Sequence, residues 1–214
     1  MIAINDSEMV AAAHTLAAQA TSLEALRLAI AGFDGCALAS TAKNLVFHET
    51  APSARIMLIG DAPRRDEDLE GRPFAGDAGR LLDRMLASIG LERHDVYLAH
   101  LLPWRPPGDR APTPIEQAIC MPFVTRQIEL CAPDILVFAG GAAAKHMLGV
   151  NTPLPKLRGQ WKDYDYKVAG GADAAIPALT MFAPDYLLRH PAHKRFAWQD
   201  LLALKARLET LPSH

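Results

Sequence analysis

The sequence predicts an α/β protein in which helices cover both faces of a parallel sheet. Short, continuous apolar runs with the length of buried strands alternate with longer segments of helical periodicity. Strands that are apolar on both faces indicate a sheet enclosed between two layers of helices. The chain has 214 residues, half of them hydrophobic, which is enough for a sizeable core. We expect a single domain over residues 1–214.

Four segments have the pattern of buried strands, and helical patterns lie between and after them. The predicted strands are 55–60, 95–100, 134–139 and 176–182, and the predicted helices are 78–89, 114–130, 142–148 and 191–208. Residues 7–32 have Ala and Leu at helical spacing with a break at Thr21 and Ser22, which predicts two helices packed on the domain. The segment 159–171 predicts a small hairpin before the last strand.

Composition and charge narrow the class of protein. No run of about 18 apolar residues occurs, so we predict no membrane span. The N-terminal residues lack the basic start and apolar stretch of a signal peptide, and we expect a cytoplasmic monomer. The three cysteines, Cys36, Cys120 and Cys131, are widely spaced, which suits reduced thiols. Because the net charge is −2, a nucleic-acid surface would have to be a local basic patch.

The loops that follow the strands are the predicted site, because ligands of parallel α/β sheets bind beyond the carboxyl ends of the strands. After the first strand come Asp61-Ala62-Pro63 and then a Gly-rich turn that opens a helix. Such turns present free backbone N–H groups, which suit a polar or anionic ligand. A phosphate loop has a similar composition, but the pattern GxxxxGK(S/T) is absent.

Several segments resemble one known family, in order and without large gaps, from about Phe33 to the C-terminus. They are 60–83 (GDAPRRDEDLEGRPFAGDAGRLLD), 104–114 (WRPPGDRAPTP), 122–130, 140–145, 157–159 and 182–191 (FAPDYLLRHP). The first resembles the motif GEAPGxxEDxxGxPFxGxAGxLLD of family 4 uracil-DNA glycosylases. The resemblance implies a three-layer α/β/α sandwich with a central four-stranded parallel sheet, in agreement with the pattern of strands and helices.

The resemblance also implies an enzyme that hydrolyses the N-glycosidic bond of uracil or another deaminated base in single- or double-stranded DNA. A base inside a duplex is out of reach, so the nucleotide must be flipped into a pocket. Bond cleavage leaves positive charge on the sugar and negative charge on the base. The pocket therefore needs a carboxylate near the sugar and a hydrogen-bond donor near the base oxygen.

Three candidate catalytic residues follow from the matching motifs. Asp61 stands where the family has Glu, and its alternative role is that of a capping or turn aspartate. His100 stands where the family reads uracil with Asn; neutral His has its donor and acceptor on separate nitrogens, so base preference is open, and the alternative is a structural histidine. Asp185 adds a carboxylate where the family usually has a small residue, and it either supplies an acid or repels the DNA backbone.

The remaining base-binding residues are expected around the same pocket, at Gly60, Ala62, Pro63, Phe74 and Ala183. Phe74 matches the family's stacking aromatic, and the alternative is an ordinary buried Phe. Ala183 occupies the place of a His that donates to the base oxygen, and alanine has no donor. Losing such a donor typically lowers the rate by about 10²–10³.

A DNA-binding segment is expected that begins with Pro184. Leu187, Leu188 and Arg189 match the wedge that fills the gap left by a flipped base, and apolar wedges are a known means of distorting DNA. Arg189, Lys194 and Arg195 form a basic cluster, and they are candidates for phosphate contacts. The alternative for the cluster is a solvated helix start.

The cysteines that the family uses for a 4Fe–4S cluster are incomplete. Such a cluster needs four thiolates, and the matching positions keep only Cys36 and Cys120. Two aromatic residues, Phe33 and Trp104, stand at the other two positions. We therefore expect no cluster and no other metal or cofactor. Cys131 matches no ligand position and is expected to be a small buried hydrophobe.

Three functions remain open from the sequence. The first is an active DNA glycosylase that uses Asp61 and an altered pocket containing His100. The second is a glycosylase-fold protein that binds DNA or a damaged base without cleaving it. The third is a nucleotide-binding or protein-interaction domain that has lost DNA. Ala183 and His100 count against the first function, and the retained segment Leu188-Arg189 counts against the third.

Overall fold

The computed structural model describes residues 6–47, 54–167 and 173–211, and within these ranges the chain forms ten α-helices, three short 3₁₀ helices and five strands. The helices are α1 (Asp6–Gln19), α2 (Leu23–Ala31), α3 (Ala37–Thr41), α4 (Arg65–Glu70), α5 (Gly76–Ala87), α6 (Pro114–Cys131), α7 (Gly141–Leu148), α8 (Leu154–Leu157), α9 (Pro184–Arg189) and α10 (Lys194–Glu209). The strands are β1 (Ile56–Gly60), β2 (Val96–His100), β3 (Ile135–Ala139), β4 (Trp161–Lys167) and β5 (Asp173–Met181).

The strands form one sheet in the order β2-β1-β3-β5-β4. The four strands β2, β1, β3 and β5 run parallel to one another, which confirms the predicted four-stranded parallel sheet. The register places Gly60 level with His100 on one side and with Ala139 on the other. The carboxyl ends of three strands therefore meet at one edge of the sheet, where a site was expected.

The alternation of side chains along β1 explains the layers. All five of its residues are buried, and successive side chains point to opposite faces of the sheet. Met57 and Ile59 pack into the apolar cluster that contains α1, α2 and α6, whereas Ile56 and Leu58 pack into the cluster that contains α5 and α10. The sheet is thus covered on both faces, as the continuous apolar pattern predicted.

The fifth strand, β4, corrects the predicted strand count. It pairs antiparallel with β5, from Trp161 opposite Leu179 to Lys167 opposite Asp173. Its alternating polar sequence, WKDYDYK, suits an edge strand with one wet face rather than a buried parallel strand. The hairpin predicted over 159–171 is therefore an extension of the main sheet, and its turn lies outside the described residues.

The N-terminal helices pack against α6, on one face of the sheet. The predicted break at Thr21 and Ser22 is confirmed, because the Ser22 hydroxyl caps α2 by accepting a hydrogen bond from the Ala25 N–H at 3.1 Å. Leu26 and Ile30 of α2 are fully buried in the core. Within the described ranges, the helices are too short or too polar to cross a membrane.

The segment 157–159 ties the sheet to the last helix. The guanidinium of Arg158 donates two hydrogen bonds to the carboxylate of Asp200 in α10, one of them from Nε at 3.0 Å. Asp200 is 1% exposed, so this pair compensates a buried charge. Gly159 has a positive φ of 72° and lies against the same carboxylate, which leaves no space for a larger side chain.

Candidate active site

A cavity of about 300 Å³ lies at the carboxyl edge of the sheet, between the turn after β1 and helix α9. This volume is at the small end of the range for ligand pockets. Most of the predicted catalytic and base-binding residues line it, namely Gly60, Asp61, Ala62, Phe74, His100, Ala183, Pro184, Asp185 and Leu188. Pro63 is buried and lies outside this lining. Residues distant in the sequence are thus brought around one hollow.

Asp61 is fixed at the start of helix α7. Its Oδ1 accepts a hydrogen bond of 2.7 Å from the backbone N–H of Ala143, and the positive end of the helix favours a carboxylate there. Gly140 has a φ of 143°, and a Cβ at this position would overlap the Asp61 carboxylate. Burial and the nearby charge of Asp185 raise the pKa of Asp61, against the effect of the Ala143 hydrogen bond.

His100 is held by a buried carboxylate that the sequence analysis did not assign to the site. Its Nε2 lies 2.6 Å from Oε1 of Glu67, and both side chains are almost fully buried. Glu67 also accepts hydrogen bonds from the backbone N–H groups of Arg64 at 2.7 Å and Phe74 at 2.6 Å. Burial works to raise the pKa of Glu67, but His100 and these N–H groups outweigh it, so the pKa is lowered.

The other ring nitrogen of His100, Nδ1, is buried without a hydrogen-bond partner. Its ring edge lies against Gly60, where a Cβ would overlap both His100 and Phe74. A buried polar atom without a partner is unusual in a folded protein. Its position at the cavity wall makes it a candidate for contact with a ligand.

Phe74 has a strained backbone at the cavity wall. Its φ is 52°, in the left-handed region, and its side chain is 4% exposed. The ring lies 4.8 Å from the ring of His100, between centroids, at an angle of 30°. Gly79 of α5 packs so close to the Phe74 carbonyl that a Cβ would overlap it. Strain of this kind persists where the surroundings enforce it, often at functional sites.

Asp185 joins the two loops that face each other across the cavity. Its Oδ2 lies 2.9 Å from Nε of Arg64, in the turn after β1, and 3.0 Å from an Nη of Arg189 at the end of α9. Two guanidinium groups therefore share one carboxylate. This contact explains what Asp185 does in the free protein, and its predicted role as a reacting acid remains a prediction.

The predicted DNA-binding segment is divided between core and surface. Leu188 is 40% exposed and lines the cavity, whereas Leu187 is 1% exposed and packs in the core. Arg189, Lys194 and Arg195 are exposed, although Arg189 is paired with Asp185. Of the two leucines, only Leu188 is accessible at the cavity, and its contact with DNA remains a prediction.

Cys36 and Cys120, the two cysteines kept at the family's ligand positions, do not fit a four-thiolate cluster. Cys36 and Cys120 are both buried, and a hydrogen bond between their thiols lowers the pKa of Cys36 and raises that of Cys120. Phe33 and Trp104 are buried in the same apolar cluster. No group of three or more His, Cys, Asp or Glu side chains in the described ranges is arranged to hold a metal ion. Two thiolates are too few for the family's cluster.

Two residues of the site escaped the sequence analysis. Glu67 belongs to the matching motif, which is the only sign of it in the sequence. Its contacts with His100 and with two backbone N–H groups arise from the fold. Arg64 stands where the family motif has Gly, and this departure was the signal that could have drawn attention to it. Both residues line the cavity.

The fold and the site define an α/β/α sandwich whose mainly parallel sheet carries a cavity, with several carboxylates in its lining, at the carboxyl ends of its strands. Residues 47–202 match the model of the uracil DNA glycosylase superfamily. The chain is 43% identical over 160 residues to a type-4 uracil-DNA glycosylase of Archaeoglobus fulgidus, covering 73% of this chain and 78% of the relative. The chain belongs to the uracil-DNA glycosylase superfamily.

Two further relatives extend over more of the chain. A type-4 uracil-DNA glycosylase of Thermotoga maritima is 36% identical over 174 residues, covering 80% of this chain and 86% of the relative. Another, from Sulfurisphaera tokodaii, is 38% identical over 189 residues, covering 86% and 84%. The likeness therefore includes the segments that line the cavity, and it agrees with the motifs from which the family was inferred.

Proposed function

We propose that this protein is a DNA glycosylase that hydrolyses the N-glycosidic bond of uracil or another deaminated base. The observation that carries the proposal is one cavity whose wall contains a carboxylate, Asp61, and an aromatic ring, Phe74, together with the exposed side chain of Leu188. The names of the relatives, all type-4 uracil-DNA glycosylases, support the same chemistry.

Asp61 is the group that acts on the sugar side of the bond. The C1′–N bond breaks with its electron pair going to the base, and positive charge develops on the sugar. The Asp61 carboxylate stabilises this charge and orients a water molecule, whose oxygen forms the new bond to C1′. The water proton passes to Asp61 and then to solvent. The backbone N–H of Ala143 holds the carboxylate in place.

Phe74 and His100 act on the base. We assign stacking to Phe74 and contact with the edge of the base to His100, with Gly60 and Ala62 allowing close approach. Glu67 positions both residues, because it binds the His100 ring and the Phe74 N–H at the same time. We assign Asp185 to its two arginines rather than to proton transfer.

DNA is the proposed partner, bound through the rim of the cavity. Leu188 fills the gap left by the flipped nucleotide, with Pro184 shaping its helix and Leu187 anchoring it in the core. Arg189, Lys194 and Arg195 bind phosphates. We further propose that the protein acts in the cytoplasm as a monomer, as one domain over residues 1–214, and without a cluster, because the cysteine set is incomplete.

Strand scission at abasic sites tests the proposal. Labelled single- and double-stranded oligonucleotides carrying uracil, hypoxanthine, xanthine or a thymine mismatch are incubated with the purified protein and then treated with alkali. We expect scission with at least one deaminated base, and its loss in Asp61→Ala. The matched control is Asp163→Ala, which removes an exposed carboxylate on β4, away from the cavity.

A second function is favoured by one observation, the absence of a side-chain donor at Ala183. A protein that binds DNA or a damaged base without cleavage would give no scission in the same assay. It would still show salt-sensitive DNA binding, and that binding would be lost when Leu188 and Arg189 are both changed to Ala. Absence of both scission and binding would contradict both functions.

A further inference from the structure

The proposed reaction leaves negative charge on the departing base, and the cavity needs a donor for it. The loop that should supply this donor carries Ala183, which has only a methyl group. The cavity wall is also rich in carboxylates, which disfavour an anion: Asp61, Asp66, Glu67, Asp77, Asp109 and Asp185. A cation near Ala183 would remove this difficulty.

Arg64 is placed to meet this need. It is one of two arginines, with Arg65, among the described residues that line the cavity. Its Nε lies 2.9 Å from Oδ2 of Asp185, which is two residues after Ala183, in the first turn of α9. Its side chain is about half exposed, whereas that of Arg65 is 72% exposed and lies near Asp66. Arg189 shares the Asp185 carboxylate but does not line the cavity, so Arg64 is the cavity-lining guanidinium that is paired with the segment carrying Ala183.

The backbone of Arg64 is fixed as well as its side chain. Its N–H donates to Glu67, the same carboxylate that holds His100 and Phe74. Anchors at both ends reduce the conformational entropy lost when a long side chain is ordered. The contact to Asp185 uses Nε, and an arginine carries four further N–H donors on its Nη atoms. N–H groups of this type can donate hydrogen bonds to an oxygen acceptor.

Resting on the proposed function, we propose that Arg64 is a catalytic residue that stabilises the departing base anion, in place of a donor at position 183. The guanidinium donates to the carbonyl oxygen of the base as the C1′–N bond breaks and its electron pair moves to the base. The base leaves as an anion and takes a proton from water. Asp185 is the positioning residue that keeps the guanidinium beside the Ala183 loop.

Single-turnover kinetics on a uracil oligonucleotide test this role. Arg64→Gln is expected to lower the rate of cleavage by about 10²–10³, the usual effect of losing one donor to a developing anion, with little change in DNA affinity. The matched control, Arg72→Ala, removes an exposed arginine of the same segment that pairs with Glu70 outside the cavity. It should leave the rate unchanged.

Two further measurements separate a catalytic from a structural role. With 5-fluorouracil, a better leaving group than uracil, the defect of Arg64→Gln should shrink. Adding Ala183→His to Arg64→Gln should restore part of the rate, because an imidazole then supplies the missing donor. An unchanged rate in Arg64→Gln would overturn the role of Arg64. So would a loss of rate that is equal for uracil and 5-fluorouracil and that Ala183→His does not restore.

Failure of the proposed function has a different signature. If the unaltered protein cleaves no substrate, the glycosylase proposal fails. Binding of free bases then tests whether Arg64 forms a site for a base anion. A site for a base anion should bind 5-nitrouracil, which ionises more readily than uracil, better than uracil itself, and Arg64→Gln should remove this preference. Equal binding of the two bases by the unaltered protein would contradict an anion site at Arg64.

Discussion

At the scale of single residues, the proposed chemistry depends on the charge of Asp61. The carboxylate must be ionised to stabilise positive charge on the sugar. Burial disfavours its charged form, and the negative charge of Asp185 adds to this effect, so the pKa of Asp61 is raised. The rate should therefore fall on acidification at a higher pH than it would for an exposed aspartate.

The variant Asp185→Asn tests this electrostatic coupling. It removes the like charge, and the amide oxygen of Asn can still accept a hydrogen bond from Arg64. The pKa of Asp61 should then fall, and the acidic limb of the pH–rate profile should move to lower pH. Single-turnover rates measured across the acidic range check the shift. An unmoved limb, as expected for the control Asp163→Asn, would show that the two carboxylates are not coupled.

At the scale of elements, helix α9 combines a buried leucine with an exposed one, which we propose as the wedge. Adjacent positions on a helix point in different directions, so Leu187 enters the core while Leu188 points to the cavity rim. The ion pair from Arg64 to Asp185 fixes the start of α9 to the turn after β1. The helix is therefore held from two sides, which suits a side chain that inserts into a DNA stack.

Truncating Leu188 tests the wedge. Leu188→Ala should lower cleavage of uracil in duplex DNA much more than in single strands, because a single strand has no neighbouring stack to hold open. Stability should change little, since the side chain is 40% exposed. Leu202→Ala, at an exposed leucine of α10, is the matched control. An equal loss on both kinds of DNA would contradict a wedge role.

At the scale of the whole molecule, the region of the cysteines is part of the apolar core. Phe33 and Trp104 are buried there together with Cys36 and Cys120, and the ring of Phe33 meets Phe123 of α6 edge to face at 5.4 Å. Side-chain packing thus stabilises this region, and we propose that its stability is independent of iron.

Removing the larger ring measures this contribution. Trp104→Ala should lower the free energy of unfolding by about 3–5 kcal/mol, as expected for a buried aromatic truncated to alanine. Trp198→Ala, at a Trp that is 44% exposed, should cost much less. The unaltered protein should be colourless, with a thermal midpoint that an iron chelator leaves unchanged. Bound iron and sulfide in the purified protein would contradict this account.

Most of the fold could be predicted from local patterns, and part of the site could not. The strands β1, β2 and β3 can be predicted from their apolar runs, because strands buried on both faces have few polar residues. Strand β4 does not, because an edge strand with one wet face resembles a polar loop. The matching motifs identified Asp61, Phe74 and His100, but contacts between distant segments, such as Arg64 with Asp185, have no signature along the chain.

The sequence by itself determined the layered α/β architecture, the family, and the residues expected around the cavity, because these follow from periodicity and from motif spacing. Only the tertiary structure decided that Glu67 binds both His100 and Phe74, that Leu187 belongs to the core, and that Arg64 pairs with Asp185. The physical reason is that burial and charge pairing depend on which segments meet in space. A motif fixes the identity of a residue, and the fold fixes its neighbours.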